Sequence, residues 1–159
     1  MTSRIVLRPA TEADATTMAT IGNDAFGFDA IAQAFFPASR EPDLTKRLDD
    51  DFQWRCGRAK GGLAHPRRHY IMAEEAREDG DKDVVGWACW ELLLPVDGVK
   101  EMSKEEEEKM FEERAKQWPS SLDVDAVKAF GEIIEAETEK IMGKDGTNGM
   151  WSKFSCFLP

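Results

Sequence analysis

The period of the apolar positions changes from segment to segment along this chain, and the changes outline a succession of elements. Between Arg4 and Arg8, Ile5 and Leu7 alternate with Arg4, Val6 and Arg8. A period of two predicts a short strand, which Pro9 closes. Thr11 stands at a helix-capping position, with Glu12 and Asp14 in the first turn, where the helix dipole favours acids. Met18, Ile21 and Ala25 then recur at i, i+3 and i+7 as one helix face, which Gly22 weakens and Gly27 ends. The stretch 30–36 is too short to assign and reads as part of a loop-rich connection. Asp43 is placed to cap a second helix with Leu44, Leu48 and Phe52 on one face, and Gly61-Gly62 should break it.

Residues 70–74 and 84–94 read as two strands joined by a polar turn, 76–83, around Gly80: an antiparallel hairpin. Ser103-Lys-Glu-Glu106 has the spacing of a capping box and opens a helix to about Trp118. A further helix runs from about Asp123 to Met142, keeping Val127, Phe130, Ile134 and Ile141 on one face. Turn residues fill 144–149, and 150–158 reads as a last strand. The order β-α-α-β-β-(α-α)-β predicts an α+β fold in one domain, 1–159. Its central sheet is mostly antiparallel with strands in chain order, helices flank it, and a two-helix insert spans 100–148.

Composition narrows the function classes. The chain has 159 residues, 42% of them apolar and 33% charged, and a formal net charge of -10. So acidic a chain repels nucleic-acid phosphates and anionic membranes, so neither is expected as a partner. No apolar run reaches the roughly 18 residues that span a bilayer. Cys56, Cys89 and Cys156 are far apart and no C-x-x-C occurs. That pattern suggests neither a disulfide framework nor a structural zinc site, and a reducing, cytoplasmic location is expected.

Three features carry candidate chemistry, each beside a plainer reading. His65 and His69 have the spacing of a helical zinc pair, but Pro66 opposes a helix and Arg67 and Arg68 repel a cation, so no metal is expected. Between Phe52 and Ala73 there is no acid, while Arg55, Arg58, Lys60, Arg67 and Arg68 all fall there. Such an island would clamp an anion such as a phosphate; a solvated helix end balanced by nearby acids is the favoured alternative. Cys156 has no local base to activate it and reads as a buried structural thiol. No complete nucleotide or nucleophile motif is present, so the residues alone lead to a soluble α/β domain with a small cleft.

The order of elements adds a resemblance. Ile5-Val-Leu-Arg-Pro-Ala-Thr-Glu-Ala-Asp14 resembles the opening of GNAT-family N-acetyltransferases, Gly22-Asn-Asp-Ala-Phe26 looks like the end of that family's first helix, and Val84-Val-Gly-Trp-Ala88 looks like its third strand. The tail from Trp151 to Pro159 is similar to its fourth strand, and the charged insert to that of fungal members. The resemblance implies acetyl-CoA as cofactor and a small amine or a protein N-terminus as acceptor. It implies that the fourth strand, at Phe154, Ser155, Cys156, Phe157 and Leu158, lends its backbone to the cofactor's pantetheine arm. Phe28, Phe35 and Phe36, with Trp90, would line the acceptor side, although core is the favoured reading of each of these phenylalanines taken singly, and Glu91 would act as base. The family's pyrophosphate-binding loop would begin where this sequence stops. The expectation is therefore an incomplete cofactor half and a weakly active or inactive chain. The alternative is a non-catalytic interaction module, or a truncated fragment, that forms homo-oligomers through its exposed last strand.

Overall fold

In the computed structural model, which describes residues 5–77, 80–92, 102–142 and 151–157, the period-two segments form four strands. These are β1 (Ile5–Pro9), β2 (Arg68–Ala76), β3 (Lys82–Leu92) and β4 (Trp151–Phe157). They make one sheet in the order β1-β2-β3-β4, antiparallel throughout. The expected hairpin is the β2–β3 pair, and Gly80 takes the positive φ of 91° that its turn requires. Residues 93 and 94 of the expected long strand, like the turn at 144–149, lie outside the described residues. Glu74 shares the face of Met72, two residues away, and a register shift at Ala73/Glu74 passes over Val85 of β3 so that Glu74 lies opposite Val84.

Five helices are described: α1 (Ala15–Phe26), α2 (Ala30–Phe35), α3 (Leu44–Leu63), α4 (Lys104–Ala115) and α5 (Val124–Met142), with a single 3-10 turn at Glu12–Asp14. Their starts follow from local capping. Asp43 accepts from the Thr45 and Lys46 amides at 2.9 and 3.2 Å. Ser103 and Glu106 complete the expected reciprocal box. The stretch 30–36, too short to assign from its pattern, is helical from Ala30 to Phe35, and Asp29 caps it by accepting the Ala32 amide at 2.7 Å. Thr11 caps the 3-10 turn that leads into α1, with Glu12 and Asp14 in that turn, as expected. The Asp14 carboxylate accepts the Thr11 amide and hydroxyl at 2.7 and 2.9 Å, so the acid organises the turn instead of only facing the helix dipole.

Gly61-Gly62 does not break α3, which runs to Leu63. The pair's use is spatial: a Cβ on Gly62 would lie 2.2 Å from the Tyr70 hydroxyl. α3 can therefore approach β2 only without a side chain there.

Two apolar clusters hold these elements. In the first, α1 and α3 cover one face of the sheet. Met18 and Met72 are almost wholly buried, and Trp87 Nε1 donates to the Met18 carbonyl at 3.2 Å. The second joins α2 and α3 to the 102–142 helices through Phe35, Phe36, Trp54 and Leu122, with Trp118, Val127 and Phe130 at its margin. The helical pair is thus anchored on α2 and α3. The expected helix face Leu44-Leu48-Phe52 starts on an exposed residue, and Trp54 is the buried anchor of α3 instead. On β1 the apolar members of the alternation are the exposed ones: Ile5 and Leu7 are 50% and 66% accessible. No helix among the described residues is long and apolar enough to cross a membrane.

Candidate functional site

Antiparallel register brings chemistry-bearing residues together at one end of the sheet. Arg68 on β2 lies opposite Glu91 on β3, and Tyr70 lies opposite Cys89. Directly opposed residues share a face, and this face is the one under α3, as the contact of Tyr70 with Gly62 requires. The Arg68 guanidinium donates to both Glu91 oxygens, from Nε at 3.2 Å and Nη2 at 3.5 Å. Tyr70 and Cys89 are hydrogen-bond partners. Burial, and then this bond, push the Tyr70 hydroxyl up to about 12, and burial pushes the Cys89 thiol up as well. Both therefore stay protonated at neutral pH. Cys89 is 3% accessible and is not a nucleophile.

Beside this quartet lies a cavity of about 320 Å³ lined by Pro9, Ala10, Leu63, Arg68, His69 and Tyr70. β1 ends at Pro9 while β2 continues to Arg68, so the opening is the space β1 leaves beside β2. A second recess of about 210 Å³ shares Ala10 and Leu63 and adds Thr11, Glu12, Lys60 and Ala64. The acid-free island divides here. Arg55 is paired with buried Asp51 at 2.8 Å, and the Arg58 guanidinium lies 4.8 Å from the centre of the Trp54 ring. Those two arginines serve the α3 packing. Lys60 and Arg68 turn to the cavity walls.

His65 and His69 are not on a helix. His65 is in the turn after α3, where its Nδ1 accepts the Arg67 amide at 3.3 Å, and His69 is on β2. Burial, then the field of Arg68, lowers His65, which is accordingly neutral at pH 7. No group of three metal-ligating side chains occurs among the described residues.

The residues expected to form an acceptor wall do not meet. Phe35 and Phe36 are 8% and 5% accessible and pack edge-on against Trp54, with ring centroids 5.8 Å apart in each case. They are core. Phe28 is 74% accessible on the surface. Trp90 and Glu91 are consecutive on β3 and so project to opposite faces. Only Glu91 shares the helix-covered face, and both of its oxygens are occupied by Arg68. On β4 the backbones of Phe154, Ser155, Cys156 and Phe157 pair with Cys89, Ala88, Trp87 and Gly86. Leu158 lies outside the described residues. Sequence reading missed the Arg68–Glu91 and Tyr70–Cys89 pairs, because only the register reveals them; Tyr70, the single tyrosine of the chain, was the available signal.

No protein-family model, curated protein or solved structure matches this chain.

Proposed function

We propose that the chain is an N-acetyltransferase-like domain that uses acetyl-CoA and transfers its acetyl group to an amine. The observation that supports this best is the place of β4. It is the last strand of the sheet, and its outer edge pairs with no other described strand. An edge strand carries a row of outward N–H and C=O groups, the complement of an extended, amide-bearing chain. The pantetheine arm of acetyl-CoA is such a chain, so β4 from Ser152 to Phe157 fits it. The cofactor supplies an acetyl group activated as a thioester. Glu91 lies opposite Ser152 in the same register, one strand in from that edge. It is the carboxylate best placed to take the proton of an incoming amine, once Arg68 has moved off it.

The test is calorimetric titration with acetyl-CoA, followed by release of free thiol in the presence of a panel of small amines and N-terminal peptides. With the cofactor half expected to be incomplete, the reading expects weak but saturable binding, slow amine-dependent thiol release and loss of release in Glu91→Gln with binding retained. No heat at millimolar acetyl-CoA would refute it.

A second reading, a non-catalytic interaction module, is favoured by a different observation. Ile5 and Leu7 on the sheet, and Ile133, Ile134 and Ile141 on α5, are 44–79% accessible. Apolar side chains in such numbers on one small chain favour partners. Sedimentation of the free chain separates the two: a monomer without acetyl-CoA binding supports neither, and a concentration-dependent assembly without it supports the second.

A further inference from the structure

We infer that the groove between the end of α3 and the start of β2 binds the phosphate group of a small molecule. The inference does not rest on acetyl transfer. It starts from a contrast: the protein carries a net charge of -10, yet residues 52–73 contain no acid. Folding then concentrates part of that run. The two cavities share Ala10 and Leu63 and so lie side by side. Their walls carry Arg68 and Lys60, with His69 and the backbone of Ala10, and one carboxylate, Glu12.

Arg68 is shared with Glu91, through contacts of 3.2 and 3.5 Å, and Lys60 is the wall cation left over. Lys60 is exposed and makes no ion pair among the described residues. Arg67, in the turn between α3 and β2, lines neither recess, but it adds its charge to the same stretch of chain. The surroundings of His65 show the same excess: Arg67, Arg68 and Arg114 of α4 act on it against Glu91 alone. A phosphate monoester carries close to two negative charges at neutral pH and several acceptor oxygens, which suits a guanidinium and a lysine together better than a single carboxylate does. The cavity volumes leave room for a phosphate with a small attached group.

The experiment is calorimetric titration of the whole chain with inorganic phosphate and inorganic pyrophosphate, against sodium chloride at matched ionic strength and against succinate. Wild type should bind phosphate in excess of the chloride control, and pyrophosphate more tightly. Lys60→Gln should weaken binding about threefold to tenfold, the size of one charge-assisted bond discounted for exposure. Arg68→Gln should weaken it as well. Lys60→Gln changes an exposed side chain and will fold, so the test survives if Arg68→Gln does not. Lys46→Gln, at the far end of α3, should change nothing. Overturning results are heat no larger than that of chloride, equal binding by Lys60→Gln and wild type, or succinate binding more tightly than phosphate. Because no acetyl-CoA is present, such a failure leaves the acetyltransferase reading untouched.

Discussion

Replacing Arg8 by Met should cost about 2–3 kcal/mol of stability. The figure follows from what Arg8 holds. Its Nη1 and Nη2 donate to the two Asp14 oxygens at 2.8 and 2.7 Å, and its Nε donates to Glu74. Asp14 and Glu74 are each 8% accessible, and Arg8 thereby ties β1 to the first turn and to β2. A bidentate pair to a buried carboxylate contributes about 1.5–3 kcal/mol per charged bond, and removing one partner leaves the other desolvated. Two offsets apply. The Arg8 side chain is 34% accessible, so part of its field is screened, and Asp14 keeps its bonds from Thr11. Hydrogen bonding by Arg8 holds Asp14 well below the usual carboxylate range and Glu74 below it too. Both carboxylates therefore add stability that is complete above the ordinary values of about 4 and is lost as pH falls through their depressed folded values. Urea unfolding followed by circular dichroism, from pH 7 down to 2.5, reads both effects. Wild type should weaken steeply below about pH 4, and Arg8→Met should start lower and fall less steeply. A loss under 1 kcal/mol at pH 7, or parallel pH curves, would refute the reasoning.

Trp54→Ala should cost about 3–5 kcal/mol, because Trp54 meets Phe35, Phe36 and Trp118 edge-on. Limited proteolysis should then cut 102–142 before the sheet, and an insert as protected as in wild type would contradict the second cluster. Gly62→Ala should cost about 1–3 kcal/mol through its clash with Tyr70, and Tyr70→Phe in the same chain should recover part of it; thermal unfolding checks both. In a Cys156→Ser background at pH 8, half-buried Cys56 should react with a thiol reagent before Cys89, which should need unfolding first; equal rates in the native protein would count against the burial of Cys89.

Elements set by short-range chemistry were legible in the chain. The caps at Asp43 and Ser103, the hairpin around Gly80 and the alternation of β1 depend on neighbours within a few residues, and each lies where the pattern put it. Choices made by distant partners were not legible. Alternation announces a strand but not which face is covered, so the exposure of Ile5 and Leu7 had no local signal. Gly61-Gly62 looks like a helix break until Tyr70, opposite it in space, is known to need the room. Phe35 and Phe36 are core, the favoured reading of each taken singly, but the partners that bury them, Trp54 and Leu122, lie far along the chain. At the candidate site, the basic island was visible as composition. The capture of Glu91 by Arg68 required the register of β2 against β3.

That register also separates the groups that hold the fold from those that face the groove. Arg8 binds two buried carboxylates and Arg55 binds a third, Asp51, so both lie inside the structure's electrostatic framework. Arg68 differs: its side chain is 38% accessible, that of Glu91 20%, and their contacts are long, at 3.2 and 3.5 Å. An ion pair of that kind contributes about 0–1 kcal/mol. Arg68→Gln should therefore leave stability within about 1 kcal/mol of wild type by urea unfolding while lowering phosphate binding in the groove. The same substitution releases both Glu91 oxygens, so if Glu91 serves as a base, amine-dependent thiol release should persist or rise in Arg68→Gln. A stability loss above 2 kcal/mol would make Arg68 part of the framework and remove it from the groove's chemistry.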